Sequence, residues 1–164
     1  MKNILIIVIG ILLITCSGMG KKSAESLWQD GQKFRMEKNL KESITSFKNI
    51  IQDYSEDKLA AQAQFQIADI YLNDVKDFEF AIEEFKKVVD NYPQHEVSKK
   101  SLFMIAYVYN NYLDAYTDAK NYYLEFKSHY PNDELIPSVE YELEGIKKHQ
   151  STIDSLNAIG SANI

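Results

Sequence analysis

The chain has 164 residues, of which 45% are hydrophobic and 26% are charged, as in ordinary folded domains. Its formal net charge of −6 excludes the basic surface that nucleic-acid-binding proteins usually present, so we expect no nucleic-acid partner. An acidic surface also gives no attraction to anionic lipid headgroups, so any membrane attachment must be hydrophobic or covalent. The single cysteine allows no internal disulfide.

Residues 1–15 have the pattern of a secretory signal peptide. A short start with Lys2 precedes an apolar run over residues 4–14, which is shorter than the about 20 residues of a membrane-spanning helix. The run leads to Thr15, Cys16 and Ser17, which resemble a bacterial lipobox, where the cysteine becomes the lipid-modified N-terminus. We therefore expect lipidation of Cys16, with residues 16–23 as a flexible tether. Two alternatives stay open for Cys16: a bystander in an ordinary cleaved signal, or a buried thiol in a membrane anchor helix.

Residues 24–131 repeat one pattern three times at an interval of 38 residues. In each copy a small residue is followed four positions later by an aromatic residue, and then by two more apolar residues on the same helical face. The copies are Ser43, Phe47, Ile50 and Tyr54; Ala81, Phe85, Val88 and Tyr92; and Ala119, Tyr123, Phe126 and Tyr130. The small residue lets two helices approach closely, and the aromatic residue fills the space one turn later. One hairpin cannot bury such a face alone, so the pattern predicts stacked helical hairpins.

The same pattern predicts helix pairs over residues 23–37 and 39–54, 57–73 and 77–91, and 94–111 and 115–129. Ser23 is the predicted N-cap of the first helix, and Asn39 with Glu42 is similar to a capping box at the start of the second. Residues 132–156 are predicted to form a capping helix, and residues 157–164 a frayed tail. The apolar face of the capping helix would consist of Val139, Tyr141, Leu143, Ile146 and Ile153.

The first helix of each pair carries a second recurring signal. Its members are Gly31 and Phe34, Ala68 and Tyr71, and Ala106 and Tyr109. Together with the small–aromatic pattern and the proline after Tyr92 and Tyr130, these residues resemble the tetratricopeptide repeat, a 34-residue helix–turn–helix unit. The resemblance implies an all-α fold, a right-handed α-solenoid of three tetratricopeptide repeats with a C-terminal capping helix. Repeats two and three carry one extra residue in the turn between their helices.

The sequence contains no catalytic or metal-binding pattern. His95, His129 and His149 lie far apart, and none has a partner at ligand spacing. A glycine-rich phosphate loop, Cys-x-x-Cys, His-Glu-x-x-His and Gly-x-Ser-x-Gly are all absent from the sequence. We therefore expect a protein that is not an enzyme and that uses no metal and no cofactor.

In tetratricopeptide arrays the first helices line a concave groove that binds segments of partner proteins. Carried over by register, the resemblance implies a groove with Trp28, Gln32, Arg35, Phe65, Asp69, Asn73, Phe103, Tyr107, Asn110 and Asn111. Aromatic side chains, amides and an arginine are residue types that anchor protein partners. The alternative interpretation assigns Phe65 and Phe103 to the core, and Trp28 is ambiguous because Leu27 can take the buried position.

The layout of lipobox, short tether and repeats ending in Tyr-Pro resembles the BamD-like family of outer-membrane lipoproteins. That resemblance implies an adaptor at the periplasmic face of the outer membrane, which binds other envelope proteins in the complex that inserts β-barrel proteins. The family usually has more repeats than the three found here. A second resemblance is to the periplasmic repeat protein of the Tol–Pal system. Alternatives from other classes are an enzyme or small-ligand carrier that uses the groove as a pocket, and a soluble cytosolic co-chaperone.

Overall fold

The computed structural model describes residues 21–162, and in that part of the chain the regular structure is helical, with no β-strand. The α-helices within this range are α1 Ala24–Met36, α2 Leu40–Asp53, α3 Lys58–Ile70, α4 Phe78–Asn91, α5 Glu96–Asn111, α6 Tyr116–His129 and α7 Ile136–Ala162. Each helix packs against the next along the chain, and α3 also contacts α1 and α5. Three hairpins are thus stacked side by side with α7 at the end, which confirms the predicted all-α solenoid of three repeats and a terminal helix.

The small and aromatic positions of the repeat lie at the centre of the fold. Fully buried at these positions are Ser43, Ala81, Ala119, Phe47, Phe85 and Tyr123. The buried side chains form three clusters, and Tyr71 packs against the first two while Tyr109 packs against the last two. The core therefore runs along the whole solenoid. Because each large buried side chain contributes on the order of 1.5–3 kcal/mol, neighbouring repeats stabilise each other.

Gly31 marks a close approach between the two helices of the first hairpin. A Cβ atom built on Gly31 would lie 2.7 Å from two ring atoms of Phe47, closer than such contacts occur in proteins. The hydroxyl of Ser43 donates a 2.7 Å hydrogen bond to the carbonyl oxygen of Gly31. The later repeats have Ala68 and Ala106 at the equivalent position, so the first hairpin alone needs the smallest residue there.

The predicted extra residue in repeats two and three is taken up where each hairpin turns. The closing backbone hydrogen bonds run from Asn39 to Phe34, from Asp77 to Tyr71 and from Ala115 to Tyr109, at 2.8, 3.0 and 2.9 Å. The first bond spans five residues and the other two span six, which confirms the extra residue. In repeat two it produces a π-helical turn over Tyr71–Val75, because a π turn accommodates one more residue than an α turn.

One residue in each turn adopts the left-handed backbone conformation. These residues are Lys38, Lys76 and Asp114, with φ values of 62°, 64° and 51°. They lie at equivalent positions of the three repeats, 38 residues apart. Lysine has no special tolerance for this conformation, so the stacked hairpins hold the backbone there against local preference.

Equivalent capping residues begin α3, α5 and α7. Asp57, His95 and Asp133 each accept a hydrogen bond from the backbone N–H two positions later, at 2.8, 3.2 and 3.0 Å. His95 accepts through Nδ1, which gives this histidine a structural role. Ser23 caps α1 as predicted, because its hydroxyl accepts from the N–H of Ser26. The predicted capping box at Asn39 is wrong, since the Asn39 side chain makes no cap hydrogen bond.

Helix α7 begins later and ends later than the sequence predicts. It starts at Ile136 instead of residue 132, because Asp133 caps the turn that precedes it. It continues to Ala162, past the predicted end at residue 156, so residues 157–162 are helical where a frayed tail was expected. With 27 residues against 14 in α6, the second half of α7 has little of α6 beside it.

The apolar face of α7 is also narrower than predicted. Val139 and Ile146 are buried and Leu143 is half-buried, as expected. Tyr141 and Ile153 are wrong members of this face, being 76% and 39% exposed. Tyr141 is exposed because it points away from α6, and Ile153 because it lies in the half of α7 that extends along the solenoid end.

The predicted signal peptide, Cys16 and the first part of the tether lie outside the described residues. Where the tether enters the described range, Lys21 and Lys22 form salt bridges with Asp53 and Asp30 at 3.3 and 2.7 Å. The end of the predicted tether therefore contacts the first hairpin. Over residues 21–162, no helix combines the length and the apolar character needed to cross a membrane.

Candidate protein-binding face

The first helices of the repeats lie next to each other and form one surface. We call it the first-helix face: the surface of α1, α3 and α5 that α2, α4 and α6 do not cover. It is continuous because α1 contacts α3 and α3 contacts α5. The residues predicted for the groove all lie on α1, on α3 with its π-helical turn, or on α5.

Trp28 and Phe65 meet at a cavity of about 290 Å³ between α1, α3 and α5. The cavity is lined by Trp28, Gln62, Phe65, Gln66, Val97 and Lys100. Trp28 packs edge-on against Phe47 with ring centroids 5.4 Å apart, and Phe65 packs likewise against Phe85 at 5.3 Å. Nζ of Lys100 lies 5.0 Å from the centre of the Phe65 ring, within cation–π range. Trp28 and Phe65 thus belong both to the core and to the cavity wall.

Arg35 does not present a free guanidinium to a partner, because residues of the second repeat bind it. Its Nε donates to Asp74 at 2.7 Å, Nη1 donates to the side-chain oxygen of Gln66 at 3.0 Å, and Nη2 pairs with Asp69 at 2.6 Å. Lys38 also pairs with Asp74, at 2.9 Å. The arginine joins α1 to α3 and to the π-helical turn.

The charges of this network depend on one another. Partial burial disfavours the charge of Arg35, but the hydrogen bonds and charges of Asp69 and Asp74 outweigh it and raise the pKa of the guanidinium. Partial burial would likewise raise the pKa of Asp74, but the bonds from Lys38 and Arg35 lower it below its ordinary value. Removing one member would leave a half-buried charge without its partner, so the network positions the first two repeats.

Phe103 and Tyr107 form the aromatic part of the face on α5. Phe103 packs edge-on against Tyr123 and Phe126 of α6, at centroid distances of 5.8 and 6.1 Å. It also stacks on Tyr107 at 6.3 Å, and both residues are half-buried. Tyr107 in turn lies 6.1 Å from the exposed Tyr112. Phe103 therefore combines a core contact with a place on the surface, as Phe65 does.

The amides predicted for the groove form internal bonds. Asn73 donates to Asp69 at 2.8 Å, Asn111 to the carbonyl oxygen of Tyr107 at 3.0 Å, and Asn110 to Glu142 of α7 at 2.7 Å. The first two bonds stay within one helix, so Asn73 and Asn111 do not join the repeats. Asn110 does join them, since it links α5 to α7. Gln32 is half-buried on α1, one turn before Arg35.

Sequence reasoning missed the polar residues that give the cavity its chemistry. Gln62 and Lys100 are 38 residues apart, each three positions before an aromatic residue of the face, so the repeat register could have indicated them. Asp74 could not be found in this way, because the π-helical turn brings it to Arg35. Within residues 21–162, no group of three or more His, Cys, Asp or Glu side chains is arranged to hold a metal ion.

The sequence profile of the soluble NSF attachment protein family, SNAP, matches residues 15–139, which is more than half of the chain. The chain belongs to this family. The soluble NSF attachment proteins are helical-repeat proteins of the adaptor type, which agrees with a tetratricopeptide-like fold and is consistent with a protein that is not an enzyme. No curated protein matches the chain significantly. The family membership indicates protein partners, and the BamD-like assignment stays a prediction.

Proposed function

We propose that this SNAP-family chain is an adaptor that binds a segment of a partner protein on the first-helix face. The observation that carries the proposal is the cavity between α1, α3 and α5, where the edges of Trp28 and Phe65 meet amide and ammonium groups. A large apolar side chain that enters this cavity buries its surface against two aromatic rings. Such anchors, in small and largely desolvated pockets, supply most of the binding energy of protein interfaces.

The polar groups around the cavity indicate how the segment would be held. The side-chain oxygen of Gln66 accepts a hydrogen bond from Arg35 at 3.0 Å, which leaves the amide N–H groups to donate to a partner. Lys100 forms no salt bridge within the described residues, and its ammonium lies over the Phe65 ring. The expected segment therefore carries one large apolar side chain with hydrogen-bond acceptors beside it.

We also propose that a lipid on Cys16 holds the repeats at the periplasmic face of the outer membrane, in an envelope assembly complex such as the one that inserts β-barrel proteins. The lipobox pattern and the BamD-like layout of the sequence support this location. The backbone between Cys16 and Lys21 spans at most about 18 Å. Since Lys21 contacts Asp53 of α2, a lipidated Cys16 would keep the first hairpin close to the membrane.

Crosslinking in native membranes tests the binding face. A photoreactive phenylalanine derivative at Gln62 is expected to capture a defined envelope protein, and the additional change Lys100→Glu is expected to reduce the yield. The matched control carries the same photoreactive group at Lys48, an exposed residue of α2. Equal capture from both positions would contradict the proposed face. Recovery of Tol–Pal proteins instead of barrel-assembly proteins would favour the alternative envelope role.

Metabolic labelling with palmitate tests the anchor separately. The wild-type chain is expected to incorporate label and to fractionate with membranes, and Cys16→Ser is expected to lose both properties. An unlabelled, membrane-free wild type would contradict the proposed location. It would leave the first-helix face as a binding surface of a chain without a lipid anchor.

A further inference from the structure

A second recess lies outside the first-helix face, between α6 and α7, and we call it the terminal groove. It has a volume of about 560 Å³. Its apolar lining includes Leu124 of α6 with Leu143 and Ile146 of α7, and Lys120 and Lys147 line it from the two helices. Leu124 is 46% exposed, which is unusual for a leucine in the middle of a packed helix. The volume lies within the range of about 300–1,000 Å³ that ligand sites have.

The internal junctions show what the repeat places at these positions. The residues equivalent to Lys120 are Ile44 and Ile82, and those equivalent to Leu124 are Lys48 and Lys86. Ile82 is buried and Ile44 half-buried, so both isoleucines contribute to the core. Apolar and cationic residues have therefore exchanged places in the third repeat. A leucine stands where the earlier repeats expose a lysine, and a lysine stands where they bury an isoleucine.

This exchange is more than an end cap requires. A helix that only terminates a solenoid needs polar residues on its open side, which accounts for Lys120 but not for an exposed Leu124. The ammonium groups of Lys120 and Lys147 form no salt bridge within residues 21–162. Their neighbours on the same helices, Lys127 and Lys148, do pair with carboxylates, at 2.6 and 2.8 Å. The groove thus joins exposed apolar surface to two cations that the chain itself leaves unpaired over the described range.

We propose that the terminal groove binds an acidic segment of a partner protein. One apolar side chain of the segment packs on Leu124, Leu143 and Ile146, and flanking carboxylates pair with Lys120 and Lys147. Asp154 also lines the groove, but it accepts a 2.8 Å hydrogen bond from Gln150 and is satisfied within α7. Complementary charge selects the segment, and apolar burial supplies affinity. The groove would thus give the adaptor a second partner surface, at the end of the solenoid.

Selection from a library of random dodecapeptides tests this proposal on the full-length protein in detergent. Wild type is the target, and the double variant Lys120→Glu/Lys147→Glu is the counter-target. Enriched peptides are expected to carry Leu or Phe flanked by Asp or Glu, and to bind the double variant about tenfold more weakly. Their binding to wild type is expected to weaken as salt is raised. Enrichment of neutral or basic peptides only, or equal binding to both targets, would overturn the proposal.

Two single variants keep the test independent of folding and of the first-helix face. Leu124→Lys restores the residue of the two earlier repeats, so it is expected to preserve the unfolding midpoint and to abolish binding of the selected peptides. Lys100→Glu alters the first-helix face and is expected to leave that binding unchanged. Sedimentation that shows a dimer of wild type, lost in the double variant, would assign the groove to a second copy of the chain and overturn the proposal.

Discussion

Helices α5 and α7 pack against the preceding hairpin in the same way, but their opposite faces differ. Toward that hairpin, α5 presents Val97, Ser101, Ile105 and Val108, and α7 presents Leu135, Val139, Leu143 and Ile146 at the equivalent positions. Toward the next helix, α5 presents Leu102, Phe103 and Ala106, and α7 presents Glu140, Tyr141 and Glu144. Helix α6 covers Leu102 and Ala106, whereas Tyr141 is 76% exposed. The end of the solenoid is therefore determined by one face of one helix.

The largest expected effect comes from exchanging the two forward faces at one position. Ala106 is fully buried, so Ala106→Glu places a charge in the core and is expected to cost about 4 kcal/mol or more of the free energy of unfolding. Glu144→Ala, at the equivalent position of α7, is expected to leave stability nearly unchanged because Glu144 is exposed. Urea unfolding of both variants measures the contrast. Similar losses in the two variants would show that α7 is covered and is not the end of the solenoid.

Two glycines give a second contrast between the start and the end of the chain. Gly31→Ala forces a Cβ atom to within 2.7 Å of the Phe47 ring and is expected to destabilise by about 1–3 kcal/mol. Gly145→Ala meets no atom within 4 Å and is expected to stabilise α7 by up to about 1 kcal/mol, because alanine favours the helix. Thermal unfolding reports both changes. Stabilisation by Gly31→Ala would contradict the close approach of α1 and α2.

A pH dependence is expected where α7 begins. The ammonium of Lys99 on α5 lies 2.6 Å from Asp133, and this bond, with that from the N–H of Leu135, lowers the pKa of the Asp133 carboxyl. Because that pKa is lower in the folded chain, Asp133 stabilises the fold above about pH 4, and this contribution disappears as pH falls through the lowered value.

Unfolding curves between neutral pH and about pH 2.5 check this dependence. Asp133→Asn is expected to be less stable than wild type at neutral pH and to lose less stability on acidification. Asp118→Asn, which changes an exposed carboxylate of α6, serves as the control. An unchanged acid limb in Asp133→Asn would contradict the role of the Lys99–Asp133 pair.

Repetition made the core predictable from the sequence. Ser43, Ala81 and Ala119 could be assigned to helix contacts because the same chemistry recurs at one interval, and a helical face that recurs three times has one physical explanation. The same register would also have identified Tyr141 as a forward-facing residue, equivalent to Phe65 and Phe103. Its hydrophobicity alone indicated the core, and hydrophobicity does not say which neighbour a face meets.

Contacts between repeats were not predictable in this way. Arg35 and Asp74 are 39 residues apart, and they meet only because a π-helical turn shifts Asp74 toward α1. The left-handed conformations of Lys38 and Lys76 have no residue signal either, since glycine or asparagine would mark such turns. The terminal groove depends on how far α7 diverges from α6. These features arise from the packing of complete hairpins, which no single hairpin's pattern contains.

The smallest expected effect concerns the aromatic residue at the centre of each repeat. Tyr123 occupies the position of Phe47 and Phe85, but its hydroxyl is buried and has no hydrogen-bond partner in the described part of the chain. Burial, with the nearby charges of Glu142 and Tyr107, raises the pKa of that hydroxyl. A buried hydroxyl without a partner costs free energy, and the phenylalanine of the other repeats avoids that cost.

Tyr123→Phe is therefore expected to leave the free energy of unfolding unchanged or to raise it by up to about 1 kcal/mol. Phe85→Tyr is the reverse exchange in repeat two and is expected to lower it, because Phe85 is fully buried and an added hydroxyl would need room and a partner. Urea unfolding of the two variants compares the third repeat with the second directly. A loss of more than about 1 kcal/mol in Tyr123→Phe would mean that the hydroxyl is bonded in solution. The third repeat would then have a polar contact next to α7 that the internal repeats lack.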